Sequence, residues 1–326
     1  MRFATRALLL VVVMALDAGA ANAAAARLDG LGATSLARLY QLWIAELARS
    51  GGPRVTYRAA GSGAGRWAFI NQAVNFAATD DPLQPKDLAR VRRGVVQIPM
   101  VGGSVALAYN KPDCDLKLTQ TQAVQVAIGL INNWTQLGCP PGQLTWVHRS
   151  DRSGTTKVLT QSLEAFSPLW TLGTGMTIKW PGTNAIAAKG NSGVASVIQA
   201  TRGAIGYVNQ SYLKSNLQAA ALENQRGEFI RPTAVSAARA LDGINLDSNL
   251  AGEMSNPSTQ GAYPISTLIW MLAYRSGNGS NTSSIRDTFN FMLSSDAQKL
   301  AVDLGFVPLN DEILSKARAA VNKIGK

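Results

Sequence analysis

Three short loops of the chain share one chemical design. Gly32-Ala33-Thr34-Ser35 precedes a stretch with helical spacing, Gly61-Ser62-Gly63-Ala64-Gly65 follows a short strand-like run, and Ser153-Gly154-Thr155-Thr156 opens a second helical stretch. Each sets a hydroxyl among small residues at a helix start. There the first backbone N–H groups lack intrahelical partners and the dipole favours negative charge. Glycine lets the backbone come close to a ligand, and the hydroxyl adds a donor. One such loop is ordinarily an N-cap and nothing more. Three of them, with charged residues alongside, point to a site for a small anion. Arg149, four residues before Ser153, offers a planar fork of donors to a tetrahedral oxyanion, and Asp151 between them can hold that fork in place. The ordinary alternative for this pair is a surface ion pair.

Asp80 carries the most information. Taken alone in Thr79-Asp80-Asp81-Pro82, it reads as a turn residue. In an anion site a carboxylate repels its ligand unless that ligand retains a proton. Hydrogen phosphate can donate to a carboxylate, whereas sulfate at neutral pH cannot.

Other chemistries fail on inspection. There is no G-x-x-x-x-G-K-[ST] loop, and Arg66 fills the last position of a would-be G-x-G-x-x-G. Ala60 and Asp151 stand where a G-x-S-x-G elbow needs its first glycine before Ser62 and Ser153. His148 is the sole histidine and adjoins Arg149, so on a strand the two point to opposite faces. With one His and two Cys, no ordinary zinc site is available, and neither a metal nor a cofactor is expected.

The elements that would position these loops alternate between helix-like and strand-like patterns, an α/β arrangement. Leu36, Leu39, Tyr40, Trp43, Ile44 and Leu47 keep helical spacing; Val55-Thr56-Tyr57 reads as a strand. Val95–Pro99 and Val105–Tyr109 read as two strands, and Ala204–Val208 as another. Val158, Leu159, Leu163 and Phe166 mark one helix face, and Ile285, Phe289, Met292 and Leu293 another. Gly305 is expected to end the next helix and Asn310 to cap the last. The apolar run Tyr263–Tyr274 is too short for a membrane span, which needs roughly 18 residues, and reads as a buried strand.

At 326 residues the chain can build two cores, and 46% hydrophobic with 16% charged residues is a globular composition. Residues 1–23 read as a secretory signal peptide: Arg2 and Arg6 precede an apolar stretch, and Ala21-Asn22-Ala23 fits the cleavage rule. No cysteine lies near that point, so a lipid anchor is not expected. Cys114 and Cys139, the only cysteines, read in an exported chain as one disulfide, the alternative being two free buried thiols. Thirty-one basic against 20 acidic residues, +11 formally, favours anionic partners. There is no basic tail and no basic stripe interleaved with aromatics, so nucleic acid is not an expected partner.

The whole chain after residue 23 resembles the periplasmic phosphate-binding proteins, members of the type II periplasmic binding proteins. The resemblance rests on Leu31–Thr34, Gly61–Gly63, Asn75–Pro82, Gln97–Gly103, Arg149–Thr156 and Gly203–Val208, in the family's order and spacing. It implies a two-domain α/β fold with a ligand cleft between domains joined by crossing strands: 24–108 with 264–326 as domain I, and 109–263 as domain II. It further implies that Thr34 and Ser62 give hydroxyl and N–H to phosphate, and that Ser35 gives its N–H. Ser153 gives its hydroxyl, and Gly154 and Thr155 further donors. Asp80 accepts the ligand's proton, and Arg149 is the cation oriented by Asp151. The implied protein is a monomeric, non-enzymatic periplasmic receptor that delivers phosphate to an ABC-type permease. The competing readings are a diverged sensor with weakened affinity and, in another class, a phosphatase with Ser62 or Ser153 as nucleophile. Three departures stand out. Ser35 occupies a usual Phe position. Arg152 occupies a usual Gly position, where a left-handed turn would be strained by a side chain. Residues 182–191 are poorer in glycine than the family usually is.

Overall fold

The computed structural model describes residues 27–182, 184–213 and 217–326; the expected signal peptide lies outside them. The first strands are short. β1 (Leu28–Gly32) is largely buried, β2 (Val55–Ala59) lies at the sheet's edge with only Val55 buried, and β3 (Phe76–Thr79) is buried. They form parallel pairs with β1 in the middle. Between them run α1 (Ala37–Arg49) and α2 (Ser62–Ile70), and α3 (Pro85–Leu88) follows β3. In α1, Leu39, Tyr40, Trp43 and Leu47 are buried on one face, as their spacing predicts. Tyr40 stacks on Tyr57 with ring centroids 4.2 Å apart. Each such large side chain taken from water is worth about 1.5–3 kcal/mol, enough to fix the helix against the sheet and so to aim the loop before it.

β4 spans Val95–Tyr109 without a break. The two strands expected here are one. Gly102-Gly103 looks like punctuation between them, but both glycines pair with β12 (Ser266–Tyr274), opposite Leu268 and Thr267. Gly102 also exchanges backbone hydrogen bonds with Val307, at 2.8 and 2.9 Å. With its polar groups satisfied on both sides, the segment stays extended. The first part of β4 pairs with β12 and the last part, Val105–Tyr109, with β8 (Ala204–Asn209).

Beyond the crossing lie β5 (Lys117–Leu118), α4 (Gln120–Ala127), β6 (Thr145–Arg149), α5 (Gly154–Phe166), β7 (Ala185–Ala188) and α6 (Gly190–Ala200). β8 is followed by β9 (Gln218–Ala219), β10 (Ala221–Glu223), β11 (Phe229–Ile230) and α7 (Ala234–Leu241). β6 lies parallel to both β7 and β8. The sheet order is β2-β1-β3-β12-β4-β8-β6-β7, with β9 also on β4; β11-β10-β5 form a small separate sheet. After β12, the helices α8 (Asn281–Met292), α9 (Ser295–Asp303) and α10 (Asp311–Val321) return to the first half. Asn310 caps α10 through its side chain, and Gly305, at φ 83°, follows α9.

The two largest of four hydrophobic clusters mark two lobes. One gathers Trp43, Phe76, Ile98, Trp270 and Phe289, the other Leu107, Trp134, Leu159, Tyr207 and Tyr263. The chain passes between them from Val101 to Val105 and from Ile265 to Leu268. The division expected at 108/109 and 263/264 is therefore shifted by a few residues. Helix α7, expected in the second lobe, sends Ala237 and Leu241 into the first core. Its buried stripe of Ser236, Ala237, Ala240 and Leu241 faces β4 and β12, which pull it back across. Cys114 and Cys139 are bonded to each other in the second lobe, with Cα atoms 5.4 Å apart. Closing that loop is worth about 3.5 kcal/mol on the loop-entropy model. Among the described residues no helix is long and apolar enough to cross a membrane, and the Tyr263–Tyr274 run is largely β12, buried along its length.

Candidate functional site

The loops singled out by sequence meet at the seam between the lobes. From the first lobe come Thr34 and Ser35 after β1, Ser62 as the first residue of α2, and Asp80 just past β3. From the second come Arg149 at the end of β6 and Ser153, Gly154 and Thr155 at the start of α5. None is more than 7% exposed among the seven with side chains. The helix starts project into the seam because each strand ends there and the chain must turn into its helix on the same edge of the sheet.

The contacts close into one network. Asp151 grips Arg149 in bidentate fashion, Oδ1 accepting from Nε at 2.7 Å and Oδ2 from Nη2 at 2.5 Å. Arg149 Nη1 donates to Thr155 Oγ1 at 3.4 Å, and the Thr155 hydroxyl donates to Asp80 Oδ2 at 3.0 Å. Asp80 Oδ1 accepts from the Ser35 hydroxyl, and the Asp80 N–H donates to Ser62 Oγ at 3.3 Å. Ser153 caps α5, its Oγ accepting from the Thr156 N–H at 3.1 Å. The lobes are in close contact here. A Cβ on Gly154 would fall 2.4 Å from Ser62 Oγ and 2.9 Å from Asp80 Cβ, so only glycine lets the start of α5 reach the opposite lobe.

The two carboxylates respond oppositely. Burial pushes Asp80 above its ordinary pKa, more than the Ser35 and Thr155 hydroxyls and the Arg149 charge pull it down. Burial also pushes on Asp151, but the Arg149 hydrogen bonds and charge, with the Gly190 N–H, outweigh it and hold Asp151 low.

One expectation needs correction, and one residue does more than expected. Ser35, whose N–H alone was expected to serve the ligand, also binds Asp80 through its buried hydroxyl. A short polar side chain fits beside a carboxylate where a ring would not bond it. Arg152 was expected to strain its turn, but it is not among the described residues with a positive φ. Its carbonyl accepts from the Gly63 N–H at 3.0 Å, and its Cβ occupies the space that a Cβ on Gly63 would need, 2.3 Å away.

Residues beyond those expected complete the site. Asn191, fully buried near the start of α6, donates from its backbone and side chain to Thr34 Oγ1 at 3.1 and 2.8 Å, and from Nδ2 to Thr155 Oγ1 at 3.4 Å. Its Oδ1 accepts from the Asn209 N–H at 2.8 Å. Gly190-Asn191-Ser192-Gly193 is a fourth glycine-and-polar helix start, the same signal as the other three. Reading residues 182–191 as glycine-poor hid it. Tyr207 OH accepts from the Arg149 N–H at 3.1 Å and bonds Thr156 Oγ1 at 2.7 Å. Its ring lies 5.8 Å from Trp146 and 5.9 Å from Trp180. His148 faces away, its Nδ1 at 3.1 Å from Arg149 O and its ring 5.9 Å from Trp180.

Two α/β lobes joined by strands shared between them, with polar helix starts meeting at the seam, define a class of two-lobed binding proteins. Residues 18–296 match the family model of the PBP superfamily domain, and the chain belongs to that superfamily. Among curated relatives, the phosphate-binding protein PstS of Pasteurella multocida is 29% identical, over 96% of this chain and 94% of the relative. PstS of Xylella fastidiosa is 29% identical over 90% and 84%. Among solved structures, a phosphate-binding protein from Stenotrophomonas maltophilia matches with a TM-score of 0.77 at 24% identity, over 90% of this chain and 93% of that one. The same fold is seen in the high-affinity periplasmic phosphate-binding protein PfluDING bound with phosphate, with a TM-score of 0.79 at 22% identity over 92% and 99%.

Proposed function

We propose that this protein captures hydrogen phosphate between its lobes in the periplasm and, acting as a monomer, delivers it to the permease of an ABC-class importer. One observation carries the reading: a guanidinium locked by Asp151 and a carboxylate, Asp80, flank one hydroxyl, that of Thr155, in a buried seam. Cation and acceptor together suit an anion that still bears a proton. In this reading Thr34 and Ser62 offer hydroxyl and N–H, Ser35 its N–H, Ser153 its hydroxyl, and Gly154 and Thr155 the free N–H groups of the α5 start. Arg149 meets the charge, and Asp80 takes the proton of the ligand. The names of the relatives support phosphate over the diverged-sensor alternative.

A binding role rather than a catalytic one fits the same geometry. A phosphatase would need a base beside Ser62 or Ser153, and the one histidine is engaged with Arg149 O and Trp180 instead. The test is titration of ligand-stripped protein with phosphate, arsenate and sulfate. Binding of the first two with sulfate largely ignored is the expected outcome; equal binding of all three, or of none, overturns the reading.

A further inference from the structure

Beside the seam lies a groove of about 1340 Å³, open to solvent and lined by both lobes. Its cations fall into two groups, apart from Lys157, which donates to Thr174 Oγ1 at 3.1 Å. Arg66 is matched by Asp81 and Asp87, and Arg90 by Asp87. Arg58 on β2, Lys86 on α3, Arg152 before α5 and Lys189 before α6 are all exposed, and among the described residues they enter no ion pair and no side-chain hydrogen bond. Of the groove's acids, Asp81 and Asp87 are held by Arg66 and Asp151 by Arg149, while Glu253 accepts from the neutral Gln84 and, among the described residues, enters no ion pair. The cations without an ion pair outnumber that one acid, so a net positive field fills a concave surface, where low-dielectric walls focus it.

This groove leads to the site. At Ala60, Asp151 and Lys189 it adjoins a smaller pocket of about 230 Å³ that reaches Thr34 and Gly190. Thr34 Oγ1 is the atom Asn191 holds in the seam network. An anion drawn into the groove thus arrives at the edge of the buried site along a wall whose unpaired charges are predominantly positive.

Resting on the phosphate reading above, we infer that this groove is an outer collecting site that concentrates phosphate and feeds it to the seam, with Arg58, Arg152 and Lys189 setting the rate of capture and not the rate of release. These three side chains make no hydrogen bond to the buried network, so their charge speeds the approach of the anion, and thereby tightens Kd, while its release is governed by the contacts of the seam. Electrostatic focusing of this kind raises association rates by about 10-fold or more and fades as salt rises, since the Debye length falls to about 10 Å at 0.1 M.

The test uses the whole protein and radiolabelled inorganic phosphate. Equilibrium dialysis gives Kd, a chase with unlabelled phosphate gives the dissociation rate, and the two together give the association rate. In the triple variant Arg58→Gln, Arg152→Gln, Lys189→Gln, the association rate should fall about tenfold at low salt, its salt dependence should flatten, and the dissociation rate should stay within twofold. The charge-retaining variant Arg58→Lys, Arg152→Lys should keep the wild-type rate, which separates field from shape. An unchanged association rate and salt slope overturn the inference, as does a loss carried wholly by faster dissociation. If the wild type binds no phosphate at all, it is the functional reading that has failed.

Discussion

Asp80 and Asp151 are both carboxylates at the seam, one from each lobe, yet their surroundings drive them apart. Asp151 sits against a guanidinium that it grips with both oxygens, and its pKa is held low. Asp80 has hydroxyl partners and no direct ion pair, and burial pushes its pKa up. The contrast separates two uses of one chemical group. A carboxylate spent on a fixed cation is a structural strut. A carboxylate left to neutral donors keeps lone pairs free, and in the phosphate reading proposed above its ionised form would prefer an anion that still bears a proton.

The strongest way to break this comparison is to remove the cation. Arg149→Ala takes away charge-assisted hydrogen bonds worth about 1.5–3 kcal/mol each, so phosphate affinity should fall at least about tenfold by calorimetry. A folded variant with an unchanged titration curve would remove Arg149 from the site. Next comes Asp80→Asn. It turns an acceptor-only group into one that also donates, so the preference for phosphate over sulfate should narrow by about tenfold, mainly through admitted sulfate. Competition titration at fixed ionic strength reads that ratio, and an untouched ratio sinks the role given to Asp80.

A finer effect belongs to Ser35. Its hydroxyl favours the charged form of Asp80, so Ser35→Ala should raise the Asp80 pKa further. As pH falls through that pKa the carboxyl gains a proton, becomes a donor and tolerates sulfate. The variant should therefore begin to bind sulfate at a higher pH than the wild type does. Coincident pH profiles would show the hydroxyl to be idle. In stability the two carboxylates should also diverge. Asp151, with its lowered pKa, contributes stability present above the usual carboxylate range and lost as acid protonates it. Asp80, with its raised pKa, contributes below the usual range and loses that contribution as pH rises through its folded value. Melting temperatures of Asp151→Asn and Asp80→Asn near neutral pH should accordingly move in opposite directions. The smallest change expected is from Arg152→Gly. With no left-handed backbone to relieve, melting should not rise and the phosphate dissociation rate should hold; a loss comparable to that of Arg149→Ala would make Arg152 a ligand.

Much of the seam was legible because its signals are local. A glycine, a hydroxyl and a helix start within four residues announce themselves at Thr34, Ser62 and Ser153, and Arg149-x-Asp151 is as short. Contacts across the seam were not legible. That Gly154 faces Ser62, or that Asn191 joins Thr34 to Thr155, depends on how two lobes close, and sequence spacing carries no record of that distance. The same limit split β4, since the extended form of Gly102-Gly103 is dictated by Val307 and β12, far along the chain. Helix α7 was misplaced for a related reason: an amphipathic stripe says that a partner exists, not which lobe supplies it.

The aromatic array around Tyr207 has a practical side. Two indoles stand within 6 Å of a phenol whose oxygen is bonded to the backbone of Arg149. Indole emission responds to small shifts in nearby dipoles, so any adjustment at Arg149 reaches a fluorophore in a single step through Tyr207. Titration of unlabelled protein with phosphate should therefore shift its indole emission, and Tyr207→Phe should blunt that shift; emission unchanged by phosphate would show the array to be uncoupled from Arg149.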